Sequence, residues 1–463
     1  MTDTQHEGRS QHQLVGLFLG PILATTMMLS GPPAGLSEEG WMTASAGVLM
    51  AVWWATEAVP IAVTALLPIV MFPLLGIATI QDTTAPYANK VIYLFLGGFI
   101  VAFAMQRWNL HRRIALGVLQ HVGGNGRSLI GGFMLASAVI SMWVMNTSTT
   151  MMMLPIAVSI IGVVHSSVKD LDNRGKDHFQ YALLLGIAYA ATIGGMATLV
   201  GTAPNALFAA FMLETYGTEI DFSSWMMIGI PLSALMLPLA WLVLTRVVFK
   251  VDFRTSDEGR ELLRRLREEL GPMSSAERRV ATVFVLMAVA WVTRPLLVEV
   301  PGLEALDDSL IAIAGAALLF IIPSGVKSDP LLLRWNYAEQ LPWGVLLLFG
   351  GGLTLAGAVS RTGLASWLGS ALQTIGSWPL PVIVIFAAAM IIFLTELTSN
   401  TATTATFLPV VGAIAIESGF DPIVPVSYTH LTLPTMRTTS RARWWACDGE
   451  GGGGGGGRGG GGG

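Results

Sequence analysis

Two apolar runs, 129–164 and 378–416, are each too long for one membrane crossing and too short for two crossings with a loop between them. Each centres on an Asn-Thr pair followed by hydroxyl residues: SMWVMNTSTTMMMLP at Ser141–Pro155 and TELTSNTATTATFLP at Thr395–Pro409. The copies lie 254 residues apart, and Asn146 to Pro155 spans the same interval as Asn400 to Pro409. A second pair keeps the same order. LFLGGF (Leu94–Phe99) puts Gly97 49 residues before Asn146, and LLFGGG (Leu347–Gly352) puts Gly350 50 residues before Asn400. Non-helical backbone survives deep in a bilayer only where protein or water satisfies it. Both runs are therefore predicted to be re-entrant helical hairpins with polar tips near mid-membrane, one in each half of an internal repeat.

The remaining apolar runs fall at about 14–30, 41–57, 59–77, 91–105, 179–216, 223–249, 280–298, 309–323 and 341–359. With 53% hydrophobic residues, 12% charged and a mean hydropathy of +0.62, this is the composition of an all-α polytopic membrane protein. GTAPN (Gly201–Asn205) interrupts the run 179–216. Pro204 removes an amide there and Gly201 loosens the turn, so a broken helix is expected. The single cysteine excludes a disulfide framework and a cysteine-based metal site.

Charge fixes an orientation. With the N-terminus in the cytoplasm and each hairpin returning to its own side, cytoplasmic segments hold 18 Lys and Arg, or 19 with Arg9, against Lys90, Arg294 and Arg361 on the other face. The first hairpin then opens inward and the second outward, which makes the repeats inverted. Residues 254–272 read as a cytoplasmic amphipathic helix ended by Gly271-Pro272, with a solvated surface as its ordinary role.

The expected organisation is a tail with three scaffold spans (1–90), a first transport half (91–216), further scaffold spans with the amphipathic helix (217–340), and a second, incomplete transport half (341–425). Beyond it the character changes. One back-translation of Val426–Thr435 reads as a transposon-based sequencing adapter, and a terminal glycine run is what a run of G base calls encodes. Residues 426–463 are accordingly expected to be read-through rather than natural sequence; the alternative is a disordered Gly-rich tail.

The predicted tips gather Ser141, Asn146, Thr147 and Ser148 with Thr395, Thr398, Ser399, Asn400 and Thr401. Such hydroxyls, amides and freed carbonyls suit hard monovalent cations, and exposed helix N-termini suit small anions. Ser and Thr in membrane helices also back-bond to carbonyls or join helices. Two clusters at matching positions in inverted halves favour a site. No Arg or Lys falls in the middle of a span, and even one unpaired buried ion costs several kcal/mol. A dianion held here needs counter-charge that arrives with it. Two sodium ions would neutralise it, and a third would let the membrane potential assist uptake by about 2.3 kcal/mol per charge per 100 mV.

SNTATTA, the paired tips, LFLGGF, WWATEAVPIAVTALLP (Trp53–Pro68) and GGMATLVGTAPNA (Gly194–Ala206) together resemble the divalent anion:sodium symporter family of the dicarboxylate/citrate/sulfate type, from about Leu14 to about Asp421. The resemblance implies an elevator carrier, a homodimer and sodium-coupled uptake of C4-dicarboxylates such as succinate, malate and fumarate. It implies one sodium site at Ser141, the Met145 backbone, Asn146 and Gly201, and a second at Thr395, Thr398 and Asn400. Substrate carboxylates would meet Asn146, Thr147, Thr202, Ser399, Asn400 and Thr401. The expected location is a bacterial inner membrane, with no enzymatic activity, organic cofactor, transition metal or nucleic-acid partner.

Two departures from the family pattern stand out. Met145 occupies a position where the family usually has serine. The counterpart of GTAPN, expected after residue 421, is absent, so the chain as written is expected not to transport while the product of the uninterrupted gene does. Rival readings are a citrate or sulfate symporter, a sodium-independent exchanger, an anion channel, and an intramembrane enzyme, for which no HExxH-type spacing or intramembrane His-Asp pairing is present. Glu396 beside the second tip is either functional or a shaper of the tip, and Glu57 is expected in a tight cytoplasmic turn.

Overall fold

The structure is a computed structural model. It describes residues 9–122, 125–168, 171–253, 257–327, 329–371 and 400–417, with positions 382, 385 and 389 between the last two segments. The chain begins with α1 (Gln11–Ser30) and α2 (Glu38–Thr56). Two short helices follow, α3 (Ile61–Thr64) and α4 (Leu67–Leu74), and then α5 (Ile80–Thr84). Next come α6 (Lys90–Arg107), α7 (Leu110–Leu119), α8 (Gly126–Ser141) and α9 (Asn146–Ser167). After them lie α10 (Asn173–Gly195), α11 (Ala203–Tyr216) and α12 (Phe222–Leu242), which runs on as a π-helical turn, Val243–Val248. The second half holds α13 (Asp257–Glu269), α14 (Ser275–Leu297), α15 (Asp308–Ile321), α16 (Trp343–Arg361), α17 (Leu364–Ala371) and α18 (Asn400–Glu417).

The apolar runs become helices, and short polar side chains start them. Ser37, Asn125, Asp172, Asp221 and Ser274 each cap a free backbone N–H of the helix that follows. Six helices among the described residues are long and apolar enough to cross a membrane. The outer surfaces of α1, α12 and α14 are apolar, with Phe18, Met227, Leu235 and Leu286 exposed as lipid-facing residues are. The run 59–77 is not one helix. Glu57 adopts left-handed backbone (φ 48°) at the end of α2, and the chain then breaks into α3 and α4. One departure from an all-helical chain is a small antiparallel hairpin of β1 (Pro323–Val326) and β2 (Asp329–Leu331).

The two glycine motifs explain the packing. A Cβ on Gly97 of α6 would fall 2.5 Å from the Ala312 carbonyl carbon of α15, and one on Gly351 of α16 would fall 2.3 Å from the Ala65 carbonyl oxygen between α3 and α4. Each motif thus brings its helix backbone-to-backbone against an element of the other half, the close approach that small residues permit between membrane helices. Phe95 and Phe349 meet edge to face between these seams, 5.4 Å apart. Gly97→Ala and Gly351→Ala are each expected to cost about 1–3 kcal/mol by overpacking. Gly162→Ala, where the added Cβ meets nothing within 4 Å, should be silent. Thermal unfolding of the detergent-solubilised protein separates the three, and a Gly97→Ala midpoint equal to that of Gly162→Ala would contradict the seam.

A second apolar cluster surrounds the first hairpin, with Phe133, Ile160, Phe179 and Leu116 fully enclosed. The amphipathic helix α13 adds Leu263 to it and so docks on α7 and α9; it is more than the solvated surface expected. Its other face stays charged and exposed, with Arg264 and Arg265 paired to Glu261. Arg113 of α7 fastens the junction, donating to the Leu270 and Gly271 carbonyls and to both oxygens of Glu277.

Candidate functional site

At the first predicted hairpin two helices are joined by a short turn. α8 ends at Ser141, residues 142–145 turn, and α9 starts at Asn146 with Met145 as its N-cap. The buried Ser141 hydroxyl donates to Asn146 Oδ1 at 2.7 Å across the turn. Thr149 closes the turn on the Val144 carbonyl. Trp143 leaves it to stack on Phe222 and Trp291, with ring centroids at 6.0 and 6.5 Å, and meets Phe284 edge-on.

The break at 196–202 is the hairpin's partner. α10 stops at Gly195 and α11 restarts at Ala203, with Thr202 as N-cap and Pro204 in the first turn, where its missing N–H costs nothing. The fully buried Asn205 spans the gap, its Nδ2 donating to the Gly195 carbonyl at 2.9 Å and the Thr198 carbonyl at 2.7 Å. Thr198 in turn donates to the Met142 carbonyl of the hairpin. Only glycine fits where these segments meet. A Cβ on Gly195 would lie 2.3 Å from Asn146 Oδ1, and one on Gly201 would lie 2.5 Å from the Gly195 oxygen. α12 holds the break from behind: Trp225 donates to the Met196 carbonyl, Ser233 to the Ile193 carbonyl, and Gly229 lies against the 196–197 backbone.

The second tip is reached from the far side of the break. A Cβ on Gly352 of α16 would lie 2.9 Å from Ala405 Cβ and 3.8 Å from Leu207, and one on Gly412 would meet Tyr216 and Phe211. Leu207 therefore pairs with Ala405, and residues 211–216 with 412. These contacts advance the same way along both helices, so α18 runs in the same direction as α11. Thr404 donates to the Asn400 carbonyl at 2.8 Å as Thr150 donates to that of Asn146 at 2.9 Å, so the two Asn-Thr copies share this back-bond.

Ser141, Met145, Asn146 and Gly201 thus come together, with Thr202 at the neighbouring cap and Thr147 exposed on the first turn of α9. Asn400 and Thr401 open α18. Thr395, Thr398, Ser399 and Glu396 lie outside the described residues. Among the described residues no hydrogen bond joins Asn146 to Asn400. Thr401 lines an open cleft of about 670 Å³ with Arg9, Gln13, Glu57 and residues 342–348, and Asn146 is not in its wall. Sequence reasoning had no role for Gly195, Thr198, Asn205 or Trp143. An Asn directly after the helix-breaking Pro204 was the available signal, because a buried amide in an apolar run must find partners.

The electrostatics follow from the helix ends. Two helix N-termini, at Asn146 and Ala203, meet at the break, and no Lys or Arg occurs in 141–147, 194–206 or 400–417. Free N–H groups and helix dipoles favour an anion there without a fixed cation. Asn400 Oδ1 is buried with no hydrogen-bond partner among the described residues, an acceptor suited to a cation.

Six apolar helices of span length, with the α10–α11 helix broken at 196–202, define an integral membrane protein. The chain belongs to the family described as the sodium:sulfate symporter transmembrane region, which it matches over residues 11–437. The sodium-dependent dicarboxylate transporter SdcS of Staphylococcus aureus is 40% identical over 418 residues, 90% of this chain and 80% of that protein. SdcS of Staphylococcus saprophyticus is 40% identical over 417 residues, 89% and 80% of the two chains. The crystal structure of the Alcanivorax borkumensis YdaH transporter aligns with a TM-score of 0.48 at 13% identity, over 94% of this chain and 89% of that one.

Proposed function

We propose that this protein is a sodium-coupled carrier for divalent organic anions, with C4-dicarboxylates as its first substrates. The observation that carries the reading is the meeting of the α9 and α11 N-termini at one break, with no Lys or Arg in 141–147 or 194–206. An anion bound there is stabilised by N–H groups and hydroxyls, and its net charge is left for co-bound sodium. Ser141, the Met145 carbonyl, Asn146 and Gly201 would hold one ion, and Asn400, with Thr395 and Thr398, a second. Asn146, Thr147, Thr202, Ser399, Asn400 and Thr401 would meet the carboxylates. The names of the staphylococcal relatives support the same substrate class.

The reading extends to mechanism. Both hairpins and the broken helix would move as one body against a scaffold, in a homodimer in the plasma membrane with the N-terminus cytoplasmic. The reciprocal glycine seams, α6 on α15 and α16 on α3–α4, support an inverted repeat. We place α12 with the moving part because Trp225, Gly229 and Ser233 hold the break.

The test is uptake of labelled succinate into vesicles carrying this protein, under an inward sodium gradient or an equal potassium gradient. Accumulation is expected with sodium alone, competed by malate and fumarate more strongly than by citrate or sulfate. Equal uptake in potassium would remove sodium coupling, and stronger competition by sulfate would replace the substrate class.

A further inference from the structure

A crevice of about 280 Å³ separates α7 from the first hairpin. It is lined by His111, Arg112 and Ala115 of α7, Ile140 of α8, and Met152, Met153, Pro155 and Ile156 of α9. Its floor is apolar and closed: Ala115, Ile140, Met153 and Ile156 are all buried. Its mouth is open on the bilayer side, where Pro155 and the neighbouring Met151 are exposed.

The cation at its rim is out of place. Arg112 is only partly exposed and has no hydrogen bond or ion pair among the described residues. The arginines around it are all engaged. Arg107 pairs with Asp329 and lies over the Tyr337 ring, Arg113 holds Glu277, and Arg127 donates to the Val251 carbonyl and faces Asp252. His111 offers no counter-charge; it is buried, with Nδ1 donating to the Met105 carbonyl.

The depth of the crevice follows from its neighbours. α7 is tied through Arg113 and Arg267 to α13, a helix too charged to enter the bilayer. α7 therefore lies at the membrane surface on the side richer in Lys and Arg, which is the cytoplasmic one. An unpaired arginine at the headgroup level beside a lipid-facing apolar slot is complementary to one kind of molecule, an amphiphile with an anionic head.

We propose that this crevice binds one anionic phospholipid of the cytoplasmic leaflet, its phosphate on Arg112 and part of an acyl chain between Ile140, Met152, Met153 and Ile156. The site is separate from the polar break and independent of the transport reading. It also abuts the residue before Ser141, so a lipid seated there would brace the hairpin against α7.

The test is native mass spectrometry of the full chain released from bilayers of phosphatidylglycerol or phosphatidylcholine. Wild-type protein should retain one phosphatidylglycerol through a wash that strips phosphatidylcholine. Arg112→Gln should weaken that retention roughly fivefold. Met152→Trp, which fills the slot and keeps the charge, should abolish it. Arg127→Gln should leave it unchanged, because that arginine already has protein partners. Equal retention in Arg112→Gln and Arg127→Gln, equal retention of the two lipids, or full retention in Met152→Trp would each overturn the proposal. If Arg112→Gln does not fold, Met152→Trp against wild type decides it.

Discussion

Gly195→Ala is expected to shift sodium-dependent uptake to far higher sodium concentrations while leaving the protein folded in the membrane. The added Cβ would fall 2.3 Å from Asn146 Oδ1, the end of a side chain that can swing away. Swinging away takes that oxygen off Ser141 and out of the candidate sodium site. Losing one charge-assisted ligand costs about 1.5–3 kcal/mol, or roughly 10- to 100-fold in sodium affinity. The neighbouring Gly194→Ala should fail differently. There the Cβ would lie 2.2 Å from the Ala138 carbonyl oxygen, which is backbone and cannot yield, so folding is lost along with transport. Uptake against sodium concentration, with yield of monodisperse protein as the second readout, separates them. Wild-type sodium dependence in a well-folded Gly195→Ala would remove Asn146 from the site.

Arg294→Ala is expected to be the most damaging single change for stability. The side chain is 16% exposed and reaches Asp221 at 3.3 Å, Asp308 at 3.3 Å and Glu219 at 3.8 Å. The Asp308 side chain is 9% exposed, its Oδ2 accepts from the Phe222 amide, and the Arg294 contact to Oδ1 is an ion pair without hydrogen-bond alignment. Removing the arginine strands that carboxylate. Breaking one side of a buried pair costs about 3–5 kcal/mol, a large share of the roughly 5–15 kcal/mol that holds a typical protein folded. Thermal unfolding should show the loss, and Arg294→Ala with Asp308→Ala should recover part of it. A double variant no more stable than the single one would mean that Asp308 is not the stranded charge.

The same network carries a pH dependence. Burial acts to raise the Asp307 carboxyl, but Lys90 and Ser309 outweigh it and hold the group below the usual carboxylate range. Burial of Asp221 is likewise outweighed, by Ser224, Ser223 and Arg294. Carboxylates depressed in the folded state stabilise it fully above their unfolded pKa, near 4, and lose that contribution as pH falls below it. Asp308 works the other way, because burial pushes its carboxyl up to about 6: its contribution is full below its unfolded pKa, near 4, and lost as pH rises through about 6. Stability should therefore be flat at neutral pH, gain from Asp308 as pH falls from about 6, and decline in stronger acid as Asp221 and Asp307 take protons.

What could be read along the chain, and what could not, follows from sequence separation. The hairpin at 141–155 was legible because an Asn-Thr pair is costly in an apolar run unless the helix turns there, and the 196–202 break because Gly201 and Pro204 announce it. The paired glycine motifs were visible as a repeat, but their partners were not: nothing near Gly97 names Ala312, and nothing near Gly351 names Ala65. Arg294 could be read only as one of three cations on the outer face, since its acids come from 219, 221 and 308. The short helices α3 and α4 were hidden in one apolar run, because the turn that breaks it depends on left-handed backbone at Glu57, a residue with no intrinsic taste for it. Arg112 looked like one more interfacial charge until the pairing of its neighbours left it alone.

The glycine seams also set an order of assembly. α6 is inserted early, yet the surface it must close on, at Ala312, is some two hundred residues further along the message, and α16 reaches back the same way to Ala65. While the ribosome works through the intervening stretch, the bare backbone strip at Gly97 faces lipid or an insertion chaperone. Synthesised alone, the first half would keep that strip open; co-expressed as separate fragments, the two halves should find each other through it.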